Sequence, residues 1–189
     1  MAAGVSSTKP FLSDVKDLRR RARENMMRGS VTSDYKGDIN QAVDVLNAAL
    51  ATEIVCILRY KRHYYMAKGI AKDSVAGEFL QHATEEQQHA DMIAERITQL
   101  GGAPNFSPEG LATRSHSEYK EGENLVDMIK ENLVAERIAI ESYREMVRFF
   151  GDNDPTTRRM LEEILAVEEE HANDMVDLLE QHGSSGKAG

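Results

Sequence analysis

The sequence predicts an all-α protein in which four long helices form two antiparallel hairpins joined by one long crossover. Three observations predict it. Four stretches of about 25–30 residues carry apolar residues at spacings of three and four between clear stop and start signals. Links of about five and about three residues join the first stretch to the second and the third to the fourth, which forces antiparallel neighbours. Between the second and third lie about 20 residues containing Pro104, Pro108 and Gly110, enough to run back along a bundle.

Each element follows from its own residues. Residues 1–38 read as an amino-terminal extension, 39–182 as the bundle, and 183–189, GSSGKAG, as a tail flexible by composition. The extension contains DVKDLRRRARENMMRG, in which Val15, Leu18, Ala22 and Met26 form a stripe flanked by arginines, as in a short basic amphipathic helix. The first bundle helix runs from about Ile39 to Lys68 and stops at Gly69. The second starts after Asp73 and Ser74, good cap residues, and ends at Gly101-Gly102. The third runs from about Glu123 to Phe150 and stops at Gly151. The fourth opens with Asp154-Pro155, a cap followed by proline at the first helical position, and ends near His182-Gly183.

Composition narrows the class of function. The 189 residues hold 23 Lys+Arg against 32 Asp+Glu, a net charge of −9, and 41% are hydrophobic, which excludes disorder by composition. No unbroken apolar run approaches the roughly 18 residues of a membrane span, and the amino terminus lacks a signal-peptide core. The single cysteine, Cys56, excludes an internal disulfide framework and a cysteine-cluster metal site, and suits a reducing cytoplasm. No Walker loop, dinucleotide fingerprint or nucleophile elbow occurs. Residues 1–40 are net basic, so the acid excess belongs to the bundle.

The seams of the four helices carry the chemistry. They read Leu46, Leu50, Glu53, Ile57, Tyr60; then Phe79, His82, Glu86, His89, Ile93; then Ile129, Leu133, Glu136, Ile140, Tyr143; then Leu161, Ile164, Glu168, His171, Met175. A carboxylate interrupts each seam at mid-helix, and no lysine or arginine lies on any of them. Four buried anions without a cation would each cost several kcal/mol, so the pattern calls for bound metal. Two divalent ions balance four carboxylates, with two neutral imidazoles as nitrogen ligands. Residues three apart on a helix lie about 5–6 Å from one another, so Glu86-x-x-His89 and Glu168-x-x-His171 each direct an oxygen and a nitrogen into one volume. Glu85 is an alternative to Glu86, but it lies off the stripe and four residues before His89. His82, one turn from Glu86, is a candidate to sit beside the ligands, or else a plain seam histidine; His63, His116 and His182 are expected at the surface. Tyr60 shares the face of Glu53, within reach of a ligand or of a bound oxygen species, or as a plain core tyrosine.

LNAALATEIVCILRYKRHYYMAKG, HATEEQQHADMIAERITQLGGAPN, IKENLVAERIAIESY and LAVEEEHANDMVDLL resemble, in order, helices A, B, C and D of bacterioferritins and related ferritin-like proteins. The resemblance implies a ferritin-like four-helix bundle holding two iron ions per subunit, with manganese as the other candidate. It implies Glu53 and His89 as terminal ligands of one iron, Glu136 and His171 of the other, and Glu86 and Glu168 as bridges. Tyr60 falls where bacterioferritins have a tyrosine beside the site. The implied activity is that of a ferroxidase and iron store: Fe(II) is oxidised by O2 or H2O2, and ferric mineral is kept inside a hollow homo-oligomeric shell. Gln87 stands where bacterioferritins have the haem-binding methionine, so no haem is expected. The chain ends 18 residues after His171, short of the fifth helix of 24-subunit shells, which favours a twelve-subunit shell like that of the Dps-like mini-ferritins. Two alternatives stand beside this reading. One is a DNA-protecting, peroxide-consuming protein of the Dps kind, with the basic extension touching DNA phosphates. The other is another di-metal enzyme such as a manganese catalase.

Overall fold

The computed structural model describes residues 14–68 and 72–182, all helix, turn or coil with no strand among them. Helix α1 spans Val15–Arg21 and is followed by a 3-10 turn at Met26–Arg28; α2 spans Ile39–Met66, α3 Lys72–Gln99, α4 Leu111–Arg114, α5 Leu125–Phe150 and α6 Pro155–His182. The stop expected at Gly69 and the tail 183–189 lie outside the described residues, as do residues 1–13 of the extension. The chain divides into two units, one up to Tyr35 and the other from Lys36 onward.

In the first unit Asp14 caps α1, its carboxylate accepting the N–H groups of Lys16 and Asp17. The stripe predicted to reach Met26 is broken. Asn25 adopts a left-handed conformation at φ 51°, so the helix ends before it and Met26 starts a separate turn. Val15 and Leu18 are exposed, and the arginines meet local acids: Arg20 pairs with Asp17 and Glu24, and Arg21 with Asp17 and Asp34.

The second unit is a four-helix bundle. α2 pairs with α3 and α5 with α6, and the hairpins meet along α2–α5 and α3–α6. The termini follow local chemistry. Asp38 caps α2 through the N–H groups of Asn40 and Gln41. α3 starts at Lys72, so Asp73 lies in the first turn, where its charge complements the helix dipole, instead of capping from outside. α3 closes on Gly101, at φ +84°, whose N–H donates to Thr98 O while that of Gly102 donates to Ile97 O, the paired bonds of a Schellman end. A Cβ at Gly102 would come within 2.6 Å of the Val43 side chain, so the crossover leaves the bundle where only glycine fits. Asn124, not Glu123, borders α5 and caps it through Asp127 N–H. Asp154 caps α6 through Thr157 N–H and also binds Arg96 of α3 with both oxygens at 2.9 and 3.0 Å.

Between α3 and α5 the crossover is pinned along α2. Asn47 bonds Ala103 O and Asn105 N–H, and the Thr52 hydroxyl accepts His116 N–H. Arg59, fully buried, donates to Ser117 Oγ, Glu118 O and, across the bundle, Asn132 Oδ1. His63 Nε2 lies 3.1 Å from the carbonyls of Lys120 and Glu121, and its Nδ1 lies 3.1 Å from Asn132 Oδ1. The surface position expected for His63 is therefore wrong: it lies off the seam, but the crossover covers it completely. His116 is exposed and His182 half-buried.

Apolar layers close both ends of the bundle. Phe79, Ile129, Met175 and Leu178 pack at one end; Leu46, Leu50, Ile97, Leu161 and Ile164 are buried toward the other. α2 is long and apolar enough by length and composition to cross a membrane, which an inspection of unbroken runs does not reveal; over half of that stretch is buried inside the protein. Alanines 48, 49 and 51 raise its average hydropathy.

Candidate metal centre

Between the two apolar layers lies one polar layer. The seam positions of the four helices bring together Glu53 of α2, Glu86 and His89 of α3, Glu136 of α5, and Glu168 and His171 of α6, none more than 5% exposed. Their ligand atoms form two overlapping quartets, Glu53–Glu86–His89–Glu168 and Glu86–Glu136–Glu168–His171, with all atoms of a quartet within 4.8 Å of one another. Glu86 and Glu168 belong to both. His89 Nδ1 lies 3.0 Å from Glu168, 3.1 Å from Glu86 and 3.6 Å from Glu53. His171 Nδ1 lies 3.6 Å from Glu86, 3.8 Å from Glu168 and 3.9 Å from Glu136.

The atoms facing the middle lack protein partners. Glu53 Oε2, Glu86 Oε1, Glu136 Oε2, both Glu168 oxygens and His171 Nδ1 are buried without a hydrogen bond. A protein interior leaves very few such groups, and each costs about 1–3 kcal/mol or more. Six converging on one point fit a pair of cations bridged by Glu86 and Glu168, with one carboxylate and one imidazole terminal on each. Protons alone would neutralise the layer differently. Burial, with the charge of Glu86 next, pushes Glu53 up to about 8, and the same causes raise Glu136 and Glu168. Burial also works against Glu86, but the neighbouring His171 and His89 imidazoles outweigh it and hold that carboxyl well below the usual range. Burial disfavours the His171 cation, yet Glu86 and Glu136 lift the ring to about 9. Three of the four carboxyls, Glu53, Glu136 and Glu168, thus lean toward their protonated forms, while Glu86 keeps its charge beside the two imidazoles.

Around the six, a second set of side chains fixes their orientation. Tyr60 OH donates to Glu136 Oε1 at 2.5 Å, and Tyr143 OH donates to Glu53 Oε1. Each tyrosine stands seven residues after the glutamate of its own helix and binds the glutamate of the other. Burial first, and the adjacent carboxylates second, hold both phenols well above their ordinary range, so they remain donors. Glu85 accepts from His171 Nε2 at 2.8 Å: the alternative ligand of the sequence orients a ligand and does not join either quartet. His82 lies beside the centre, its ring stacked on His171 at 3.9 Å and its Nδ1 3.1 Å from Tyr60 OH. Sequence reasoning did not single out Tyr143, Asp174 or Arg59. For Tyr143 the signal was available, because its offset from Glu136 equals that of Tyr60 from Glu53.

The fold and its buried carboxylate–imidazole layer define a class, the four-helix carboxylate bundles. Comparison with known proteins narrows it: the family model described as "Ferritin-like domain" matches residues 43–182. The chain belongs to the ferritin-like domain family. It is 32% identical to the DNA protection during starvation protein of Halobacterium salinarum over 175 residues, covering 89% of this chain and 94% of that protein. It is 29% identical to the bacterioferritin of Rhodobacter capsulatus over 146 residues, 77% of this chain and 83% of the relative. Among solved structures, the dodecameric thioferritin, a bacterioferritin-related protein from Bacteroides fragilis, superposes with a TM-score of 0.73 at 34% identity, covering 80% of this chain and 94% of that one.

Proposed function

We propose that the chain is a ferroxidase that oxidises Fe(II) with O2 or H2O2 and stores the ferric product inside a homo-oligomeric shell. The observation that carries this reading is the convergence of unpartnered buried carboxylate oxygens on two overlapping quartets. Mixed carboxylate and imidazole donors suit iron or manganese. Two Fe(II) ions are the substrate, and each gives one electron to the oxidant. The chain supplies the rest. Glu53 and His89 hold one ion, Glu136 and His171 the other, and Glu86 and Glu168 span both. Tyr60 and Tyr143 keep the terminal carboxylates aimed inward, and the apolar layers above and below keep bulk water from the pair. Loading displaces the protons that the raised carboxyls otherwise carry.

The dodecameric Bacteroides relative supports a twelve-subunit shell. So do large apolar side chains left exposed on the single chain, among them Leu58, Val134, Phe149 and Val176. The lone, buried Cys56 supports a cytoplasmic setting. The test is rapid-mixing Fe(II) oxidation with the assembled protein. Glu86→Ala and His171→Ala are expected to abolish the fast phase while the shell still assembles by size-exclusion chromatography; wild-type rates in either variant would overturn the assignment.

DNA protection is the second reading, favoured by the printed name of the Halobacterium relative and the arginine-rich α1. Pairing of Arg20 and Arg21 with acids weakens it. A gel shift with the full chain and with residues 1–38 removed tests it: a shift lost on removal supports the arm, and an equal shift or none contradicts it.

A further inference from the structure

We propose a third divalent-cation site on the flank of the di-metal layer, formed by Glu78 and His82 of α3 and Asp174 of α6, where an incoming ion waits before it reaches the centre. The staging role rests on the functional reading above; the site itself does not. One ligand atom from each of the three residues lies within 4.8 Å of the other two. His82 is fully buried, whereas the side chains of Glu78 and Asp174 are 33% and 36% exposed, so the group opens outward to solvent and ends inward on an imidazole.

The His82 ring faces two ways: its Nδ1 lies 3.1 Å from Tyr60 OH, and its Nε2 lies 3.3 Å from Asp174 Oδ2 and 3.6 Å from Glu78 Oε1. Among the described residues, no lysine or arginine pairs with either carboxylate. These spacings are long for a charge-assisted hydrogen bond, which runs about 2.7–2.9 Å. They match the roughly 3.4 Å that separates ligands bound about 2.1 Å from one shared ion. Two carboxylates and an imidazole are a ligand set for the same first-row divalent ions that the centre takes.

The position suggests the use. The His82 ring stacks on that of His171 at 3.9 Å, and His82, Glu85 and His171 form a further close group one step inward. An ion at Glu78–His82–Asp174 is thus one exchange of ligands from the centre, on a line of donors running in from the α3–α6 surface.

Anaerobic Co(II) titration of the assembled protein, followed by calorimetry and visible absorbance, tests both parts. Wild type is expected to bind three ions per chain, and Glu78→Gln/Asp174→Asn two, with the signals of the central pair retained as the check that the variant is folded. The rate of filling the central pair is expected to fall roughly tenfold in the variant. Two ions in wild type and variant alike would overturn the site, the contact between His82 Nε2 and Asp174 then being a plain hydrogen bond. Three ions in wild type with unchanged filling of the centre in the variant would overturn the staging role. No binding at all in wild type would instead remove the di-metal reading.

Discussion

Two tyrosines and two glutamates exchange hydrogen bonds across the bundle: Tyr60 to Glu136, Tyr143 to Glu53. Each bond uses one carboxylate oxygen and leaves the other facing the centre without a partner, which is how a hydrogen bond to the protein selects the atom offered to a metal. Tyr143→Phe should therefore loosen Glu53 and lower Co(II) affinity at the centre by roughly 10–100-fold, read by competitive titration; unchanged affinity would show that Tyr143 only fills space. At this scale the sequence was legible wherever a charge broke an apolar stripe. The four glutamates among the six proposed ligands stood out that way, because a buried glutamate is conspicuous on a seam, and the two histidines stood out by following Glu86 and Glu168 at a spacing of three. Tyr143 was not singled out, although it follows Glu136 by the same seven residues that separate Tyr60 from Glu53. Arg59 and His63 offered no such signal. Their partners are carbonyls and side chains of the crossover, and irregular backbone has no period from which to read a partner.

At the scale of elements, four long helices and their pairing followed from glycine and proline punctuation and from link lengths. What did not follow was how they are fastened. Asp154 caps α6 and holds Arg96 of α3, joining the two hairpins near the α3 carboxyl end. Asp154→Ala removes a cap and strands a nearly buried guanidinium, and is expected to cost about 3–5 kcal/mol in chemical denaturation. The pH dependence has a definite sign. Burial opposes the Asp154 anion, but Thr157 and Arg96 hold its carboxyl below the ordinary value. Its stabilising contribution is thus present near neutrality and lost as the pH falls below about 4. His63 is pushed down to about 4, by burial first and then by the Arg59 charge. The folded protein favours its neutral form, so the associated stability is present above about 6.5 and is lost as the pH falls from there toward 4. Wild type should lose more stability between pH 7 and pH 5 than His63→Gln does. Equal losses would mean that His63 takes up a proton as readily folded as unfolded.

Over the whole molecule, the net charge of −9 takes on a division of labour. Four of the acids, Glu53, Glu86, Glu136 and Glu168, are withdrawn into the bundle, where the proposed metal would replace solvent as their partner, and most of the others lie toward the surface. Burying uncompensated carboxylates opposes folding, so the metal should contribute to stability as well as to chemistry. A divalent ion at about a hundred times its dissociation constant should raise the melting temperature by roughly 5–10 °C, and Glu86→Ala should lose most of that rise. The central claim is that one layer of this bundle holds two metal ions bridged by Glu86 and Glu168. Anomalous diffraction at the iron edge, from crystals grown with Fe(II) without oxygen, tests it directly. Two peaks per chain about 3.5–4 Å apart are expected, one beside Glu53 and His89 and the other beside Glu136 and His171, with Glu86 and Glu168 reaching both. A single peak in that layer, or none, would contradict it.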